Sequence, residues 1–373
     1  MTITDLLSLL ANPATAGLPG HLNDRIDSVT YDSRQAGPGV LFAALPGTRV
    51  DGHAFLVQAA AQGATAALVS RDWLAANTPP LPAIGVEDVR VAMARVACEL
   101  AGHPSRALEL VGVTGTNGKT TTTHLIRAVL EQAGGSAGLL GTLGAEFGTE
   151  RISTGHTTPQ SPDLQRVLGR MRDAGVRGVA MEVSSHAIDQ ARVYGCAFRV
   201  AVFTNLTQDH LDYHGTLEAY AETKMRLFNW RGTGLPPSHA VINLDDPYGA
   251  RFQQASGAPV ITYGIDCGPA ALLWASELES SAAGSRFVVH WKGDRYPVAL
   301  PLPGRFNVYN ALAAFGAGLA LGFDPSSVAV ALARVTGVPG RAEVVSPPGW
   351  PYAVWVDYAH TPDGLTNVLS AAR

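Results

Sequence analysis

The chain has 373 residues, 46% of them hydrophobic, and its 27 Lys and Arg against 31 Asp and Glu give a formal net charge of −4. This length exceeds one ordinary hydrophobic core, so two or three domains are expected. The weak negative charge excludes a nucleic-acid surface as the main function, and no apolar run reaches membrane-spanning length. Without a signal-peptide pattern or a sign of a large exposed apolar face, we expect a cytoplasmic monomer.

Residues 1–86 alternate short apolar runs with glycine and proline turns, the pattern of a small α/β domain. Two polar loops, residues 30–34 and 46–53, have room for a ligand, although such loops are more often ordinary surface turns. A helix over residues 89–101 is predicted to lead into the central domain.

The glycine-rich segment 111–123 lies between an apolar strand and a predicted helix. In this context backbone N–H groups and the helix N-terminus face an anion, so the segment predicts a phosphate-binding loop. Lys119 would reach the outer phosphates and the Thr120 hydroxyl would hold a magnesium ion. The strict spacing of such loops requires glycine at position 113, where this chain has Val113, so a variant loop is predicted.

From residue 108 to about 335 strands alternate with helices, which predicts a parallel sheet covered on both faces, with an antiparallel hairpin over residues 287–298 at its edge. Glu182 lies near the end of one strand, and His210 follows the next. Ligands bind outside the carboxyl ends of such strands, so both side chains are expected to face the glycine loop. A helix is predicted from Thr216 through Trp230.

Thr120, Glu182 and His210 have the ligand types that suit magnesium. Two alternatives stay open. Glu182 could be a buried strand carboxylate paired with an arginine, and His210 with His214 could hold zinc.

Lysine use is unusual, because only Lys119, Lys224 and Lys292 are lysines among the 27 basic residues. Arginine cannot lose its proton, so a retained lysine indicates a need for amine chemistry. Lys292 is interpreted as a solvated residue of a hairpin turn. Lys224 is either a reactive amine or an exposed lysine on a helix surface.

A third unit begins near residue 337, with a strand over 352–357 and a helix over 361–372. One strand and part of a helix cannot bury a core, so this domain is expected to be incomplete. The predicted domains are 1–86, 87–336 and 337–373.

Several motifs resemble those of the Mur ligases and their folylpolyglutamate synthetase relatives. They lie at residues 114–120, 181–186, 204–215, 306–312 and 357–363. The segments 32–34 and 156–159 are similar to those of the family members that add the third amino acid of the peptidoglycan precursor. The resemblance covers essentially the whole chain. It implies an N-terminal UDP-binding domain, a central ATP-binding domain and the start of an amino-acid-binding domain.

The resemblance also implies ATP and Mg²⁺ as cofactors. Family members carry a carbamylated lysine, and Lys224 matches its position; a carbamate would hold a second magnesium, which arginine could not do. The implied catalytic residues are Lys119, Glu182, His210 and Lys224, and the implied metal ligands are Thr120, Glu182, His210 and carbamylated Lys224. The implied ATP contacts are Gly115, Thr116, Asn117, Gly118, Lys119, Thr120, Thr121, Asn310, Arg341 and Asp357.

The implied substrate is UDP-MurNAc-L-Ala-D-Glu. Its uridine end would meet Tyr31, Ser33, Thr48, Arg49 and Val50. Its muramoyl-peptide end would meet His156, Thr157, Thr158, Ser184, Gln190 and Arg192, with His156 standing where relatives have Asn.

The implied reaction is phosphoryl transfer from ATP to the D-Glu side-chain carboxylate, followed by attack of an amino acid's amine on the acyl phosphate. Diaminopimelate, lysine and ornithine stay open as the amino acid, because its pocket is expected beyond Arg373, and the 373-residue chain is expected to ligate poorly. The alternatives are a folylpolyglutamate synthetase-like enzyme, a D-Ala-D-Ala-adding Mur ligase, and a non-catalytic protein that binds nucleotides or UDP-sugars.

Overall fold

A computed structural model describes residues 1–47, 50–347, 350 and 352–372. They form two compact units. The first contains Met1–Pro104, Pro159–Arg170 and Gln190–Cys196, and the second contains Ser105–Thr158, Met171–Asp189 and Ala197–Arg373. The predicted α/β class is confirmed, whereas the division into three domains stays a prediction.

The first unit is built on a five-stranded sheet in the order β1-β5-β4-β3-β2, in which only β1 runs antiparallel to its neighbour. Buried aliphatic side chains such as Leu41, Leu68 and Ile84 form its core. The strands are β1 (Ala14–Ala16), β2 (Ser28–Thr30), β3 (Val40–Ala43), β4 (Ala66–Ser70) and β5 (Ala83–Val86), with helices α1 (Ile3–Leu9), α2 (Leu56–Ala61), α3 (Arg71–Ala76) and α4 (Val89–Leu100).

The second unit contains an eleven-stranded sheet in the order β16-β15-β14-β13-β12-β11-β6-β10-β7-β8-β9. Its strands are β6 (Glu109–Thr114), β7 (Ala137–Gly141), β8 (Gly144–Phe147), β9 (Glu150–Ile152), β10 (Gly178–Glu182), β11 (Val200–Phe203), β12 (His239–Asn243), β13 (Val260–Gly264), β14 (Leu273–Ser281), β15 (Gly284–Trp291) and β16 (Asp294–Leu300). Strands β7, β10, β6, β11, β12, β13 and β14 are parallel, and both edges are antiparallel. The predicted edge hairpin is β15–β16.

This sheet packs against α5 (Lys119–Gln132), α10 (Gly249–Ala255), α11 (Arg305–Ala320) and α12 (Pro325–Ala333). The chain between residues 161 and 225 also forms α6 (Ser161–Asp173), most of which lies in the first unit, and the short helices α7 (Ser185–Asp189), α8 (Leu211–His214) and α9 (Leu217–Met225). Strands β10 and β11 are buried along their whole length, and β6 is buried after its first residue, which explains their continuous apolar runs.

The helix predicted from Thr216 through Trp230 begins as expected, because the Thr216 hydroxyl accepts a hydrogen bond from the Ala219 N–H. It ends at Met225, so its predicted end is wrong. The chain instead turns, and the Gly232 N–H donates back to the Arg226 carbonyl.

The last described segment contains β17 (Glu343–Val344), β18 (Trp355–Val356) and α13 (Pro362–Ala372). The predicted strand over 352–357 is therefore only two residues long, paired antiparallel with β17. Among the described residues, no helix has both the length and the apolar character needed to cross a membrane.

Candidate functional site

The glycine loop between β6 and α5 has a backbone shape that requires glycine at two positions. Gly115 and Gly118 have φ values of +151° and +85°. A Cβ on Gly115 would lie 1.9 Å from Thr204 Oγ1, and one on Gly118 would lie 2.4 Å from Asn310 Oδ1. Both glycines therefore allow a conformation and a close approach that a residue with a Cβ would adopt only at a cost in stability.

The residues that follow β11 hold this loop in place. Thr116 N–H donates to the Asn205 carbonyl at 2.9 Å, and Asn117 N–H donates to Asn205 Oδ1 at 2.9 Å. Thr204 Oγ1 donates to the Asn117 carbonyl at 2.7 Å. The loop is therefore shaped by the protein itself, and α5 begins directly after it with its unpaired N–H groups at the loop.

Lys119 lies at the start of α5 with its ammonium group folded back onto the loop. Its Nζ donates to the carbonyls of Gly115 and Thr116 at 2.9 and 2.8 Å. Burial lowers the pKa of Lys119, although the negative charges of Glu182 and Asp209 oppose the shift. The side chain has the flexibility to exchange these carbonyls for an incoming phosphate.

Glu182, at the end of β10, is 2% exposed and faces the start of α5. Its Oε1 accepts from the Thr120 hydroxyl at 3.1 Å and from the Thr142 N–H at 2.9 Å, and its Oε2 accepts from the Thr142 hydroxyl at 3.2 Å. Among the described residues no arginine lies within ion-pair distance of Glu182, so the Glu–Arg alternative is not supported. Arg341 instead donates to Thr120 Oγ1 at 3.0 Å.

Lys224 in α9 is 1% exposed, so the alternative of a helix-surface lysine is wrong. Its Nζ donates to the Gly115 carbonyl at 3.0 Å and lies 4.5 Å from the centre of the Tyr220 ring. Within the described part of the chain no carboxylate lies within 4 Å of this amine. Burial, followed by the charge of Lys119, holds the pKa of Lys224 well below its usual value, against the pull of Asp209.

His210 has a left-handed backbone, with φ at +51°, immediately before the short helix α8. Its Nε2 lies 3.5 Å from Asp209 Oδ2, and its ring meets the His186 ring edge-on at 4.9 Å. Burial lowers the pKa of His210, and Asp209 opposes the shift. His214 bonds elsewhere, with Nε2 2.9 Å from Ser185 Oγ. In the described ranges no three His, Cys, Asp or Glu side chains converge as a metal site by themselves.

These groups line one cavity of about 650 Å³ in the second unit. Asn310 lies in α11 with its amide bonded to Thr122 and Asn307. Asp357, after β18, accepts from the N–H groups of Ala342 and Ala359. The predicted residues that line the cavity are Thr116, Asn117, Gly118, Lys119, Thr120, Thr121, Thr157, Glu182, Ser184, His210, Lys224, Asn310, Arg341 and Asp357.

The other predicted substrate residues of this unit lie close by. Thr158 is buried, and its hydroxyl donates to the Glu182 carbonyl at 2.9 Å. His156 and Thr157 line a second cavity of about 530 Å³, which also contains Thr142.

The first unit holds Tyr31, Ser33, Gln190 and Arg192. Tyr31 donates to Asp163 Oδ2 at 2.8 Å, and burial together with this carboxylate raises the pKa of Tyr31 to about 12. Ser33 donates to Gln58 Oε1 at 2.9 Å, and Arg192 donates through two nitrogens to Gln190 Oε1 at 3.2 and 2.7 Å. Val50 is 56% exposed, and the predicted residues Thr48 and Arg49 lie outside the described residues.

Several residues of these sites were not singled out from the sequence. Asp209 lies beside His210 and contributes negative charge near both lysines. Its position in the polar segment after β11 was a usable signal. Thr142 and Asp163 carry no comparable signal, because a threonine in a turn and an aspartate in a first helical turn are ordinary there.

The loop, the helix N-terminus and the facing carboxylate define a nucleotide-binding α/β protein of the phosphate-loop type. The family profile described as "Mur ligase middle domain" matches residues 113–318, and the one described as "Mur ligase family, catalytic domain" matches residues 25–103. The chain belongs to the Mur ligase family.

Named relatives and a solved structure agree with this assignment. The UDP-N-acetylmuramoyl-L-alanyl-D-glutamate–2,6-diaminopimelate ligase of Geobacillus thermodenitrificans is 46% identical over 94% of this chain and 71% of its own. The ligase of the same name from Geobacter metallireducens is 44% identical over 99% of this chain and 71% of its own. A solved structure of a ligase with this name superposes with a TM-score of 0.81 at 30% identity, over 100% of this chain and 74% of that one.

Proposed function

We propose that the chain is an ATP-dependent ligase that joins an amino acid to the D-Glu side-chain carboxylate of UDP-MurNAc-L-Ala-D-Glu. One observation supports the proposal above all. The glycine loop, the carboxylate of Glu182 and the buried amine of Lys224 line the same cavity. The names of the relatives support 2,6-diaminopimelate as the amino acid. They favour this reaction over folylpolyglutamate synthesis and over D-Ala-D-Ala addition.

The donor set at the loop fits Mg²⁺–ATP. Thr120 Oγ1 and Glu182 Oε1 are hard oxygen ligands 3.1 Å apart at the helix N-terminus, and magnesium accepts few protein ligands alongside phosphate oxygens and water. Thr120, Glu182 and His210 would hold the ions, which would neutralise charge on the transferred phosphoryl group. The base and ribose would meet Asn310, Arg341 and Asp357.

Lys224 fits the carbamate that its family resemblance implies. A neutral amine is required to attack carbon dioxide. The nitrogen lone pair forms the N–C bond, one C=O π bond breaks with its electron pair moving to oxygen, and the nitrogen then releases a proton to solvent. Burial favours this neutral form. The product would place an anion near Lys119, whose ammonium group donates to the carbonyls of Gly115 and Thr116.

In the proposed reaction the loop N–H groups and Lys119 hold the ATP phosphates. The D-Glu carboxylate oxygen attacks the γ-phosphorus, the bond to the β-phosphate oxygen breaks, and ADP leaves. The amino acid's neutral amine then attacks the acyl carbon, releases phosphate and loses a proton. Thr157, Thr158 and Ser184 would position the muramoyl-peptide end of the UDP-substrate.

Calorimetric titration of the 373-residue chain tests the proposal. We expect it to bind Mg²⁺–ADP and UDP-MurNAc-L-Ala-D-Glu, and to bind tetrahydrofolate not at all. Lys119→Ala should weaken nucleotide binding strongly and leave binding of the UDP-substrate unchanged. Binding of folate in place of the UDP-substrate, or nucleotide binding that is indifferent to Lys119→Ala, would contradict the proposal.

A further inference from the structure

Thr142 is an exposed residue of the turn that joins β7 to β8, yet its polar atoms face the candidate metal carboxylate. Gly141 and Gly144 pair across the hairpin, so Thr142 and Leu143 form a two-residue loop. Such short loops fix the positions of their residues closely. The backbone of Thr142 is therefore held next to Glu182 by the hairpin.

The same residue contacts both oxygens of Glu182. Its N–H donates to Oε1 at 2.9 Å and its hydroxyl donates to Oε2 at 3.2 Å. The preceding Gly141 permits this approach, because a Cβ there would lie 2.2 Å from Oε1. With the Thr120 hydroxyl also on Oε1, the plane of the carboxylate is fixed by three hydrogen bonds.

Thr142 also touches the loop that carries the predicted substrate threonines. Its Oγ1 lies 3.2 Å from Thr157 Oγ1. A hydroxyl has a single proton, and an ionised carboxylate can only accept, so Thr142 gives its proton to Glu182 and accepts the proton of Thr157. The hydroxyls form one directed chain from Thr157 through Thr142 to Glu182.

We propose that Thr142 is a positioning residue that orients Glu182 toward the metal and couples this carboxylate to the substrate loop at Thr157. The inference rests on the proposed function, because it takes Glu182 as a magnesium ligand. Partners of metal ligands set ligand orientation, and their loss costs about 10- to 100-fold in metal affinity. Because the backbone N–H remains in any variant, loss of the hydroxyl alone is expected at the low end.

The test compares Thr142→Val with Thr142→Ser by calorimetric titration of Mg²⁺ into the chain with ADP. Thr142→Val should weaken the apparent Mg²⁺ affinity about tenfold. ADP binding in EDTA should stay unchanged, and Thr142→Ser should restore the Mg²⁺ affinity. Thr149→Val is the matched control, since Thr149 is an exposed threonine in the neighbouring β8–β9 turn and should have no effect.

A second readout tests the coupling. In the wild type, Mg²⁺–ADP should change the affinity for UDP-MurNAc-L-Ala-D-Glu, and Thr142→Val should reduce that change while Thr149→Val leaves it intact. Three results would overturn the proposal. Thr142→Val could leave both the Mg²⁺ affinity and the coupling unaltered, the Val and Ser variants could lose Mg²⁺ affinity equally, or Thr142→Val could also weaken ADP binding in EDTA. Glu182→Gln separates the two claims: if it leaves Mg²⁺ affinity unchanged, the proposed role of Glu182 fails, whatever Thr142 does.

Discussion

The glycine loop and the segment after residue 337 both contribute side chains to the same cavity, but they are built differently. The loop sits on a strand whose residues Leu110, Val111 and Val113 are fully buried. The later segment has strands of two residues each and exposes Val344, Val356 and Leu369. Hydrogen bonds to the residues after β11 hold the shape of the loop, whereas the contacts from Arg341 and Asp357 depend on a segment with short strands and exposed apolar side chains.

The largest expected difference between the two regions is in their packing energy. Leu110→Ala, which removes a fully buried side chain from β6, should lower the free energy of unfolding by about 2–5 kcal/mol. The matched change Leu369→Ala, at a side chain that is 62% exposed, should cost no more than about 0.5 kcal/mol. Urea unfolding of both variants measures this, and equal losses would show that the later segment is packed as firmly as the central sheet.

Removal of the loop's ammonium group should have the next largest effect. Lys119→Ala should weaken ADP binding by about 100-fold, because loss of a buried charged partner costs about 2–5 kcal/mol. Unfolding should change little, since only backbone carbonyls lose a donor. A variant that keeps nucleotide affinity would mean that the loop N–H groups alone hold the phosphates.

Gly118→Ala tests whether nucleotide binding depends on the close approach of Asn310 to the loop, in addition to the left-handed backbone at Gly118. Gly118 and Gly134 have similar φ values, +85° and +83°, but only Gly118 has a neighbour, Asn310 Oδ1, in the path of a Cβ. Both alanine variants should lose about 1 kcal/mol of stability from the left-handed backbone.

Only Gly118→Ala should also lose nucleotide affinity, by about tenfold, because close-packed neighbours cannot absorb a displaced side chain without moving the loop. Thermal unfolding and ADP titration, run side by side, separate the two costs. Equal nucleotide affinities in the two variants would argue that the loop tolerates movement.

The smallest predicted effect is a pH dependence at Asp245, which follows β12 and lines the cavity. Burial would raise its pKa, but hydrogen bonds from Cys267, from the N–H groups of Ile265 and Asp266 and from the Tyr309 hydroxyl lower it to about 2. A depressed pKa stabilises the folded state above the unfolded value of 3.8, and this contribution is lost as the pH falls through 2.

Asp245→Asn should therefore be less stable than the wild type by about 1 kcal/mol at pH 6, after allowance for solvent screening. The difference should shrink between pH 4 and pH 2. Denaturant unfolding across this range measures it, and a difference that stays constant with pH would assign the loss to geometry instead of charge.

The sequence allowed prediction of the parts whose chemistry is local. The glycine spacing before Lys119, the carboxylate at the end of β10 and the retained Lys224 could each be recognised, and the structure places all three around one cavity. The helix from Thr216 was predicted too long. The chain turns after Met225, and the hydrogen bond from the Gly232 N–H to the Arg226 carbonyl in this turn cannot be predicted from the spacing of apolar residues.

Other features depend on contacts between distant residues. Thr142 reaches Glu182 only because the β7–β8 turn closes next to β10, and Tyr31 meets Asp163 across 132 residues of chain. The first unit also includes Pro159–Arg170 and Gln190–Cys196, which join it through contacts with residues far away in the sequence. A single sequence carries no local signal for such pairings.

Lys224 offers the most direct test of whether this cavity is a ligase site and not only a nucleotide-binding site. The chain is equilibrated with ¹³C-bicarbonate and its carbamate carbon is sought by NMR, together with Mg²⁺–ADP affinity, in the wild type and in Lys224→Arg. We expect a carbamate signal in the wild type, no signal in the variant, and weaker Mg²⁺–nucleotide binding by the variant. No signal in the wild type together with unchanged nucleotide binding by Lys224→Arg would contradict it.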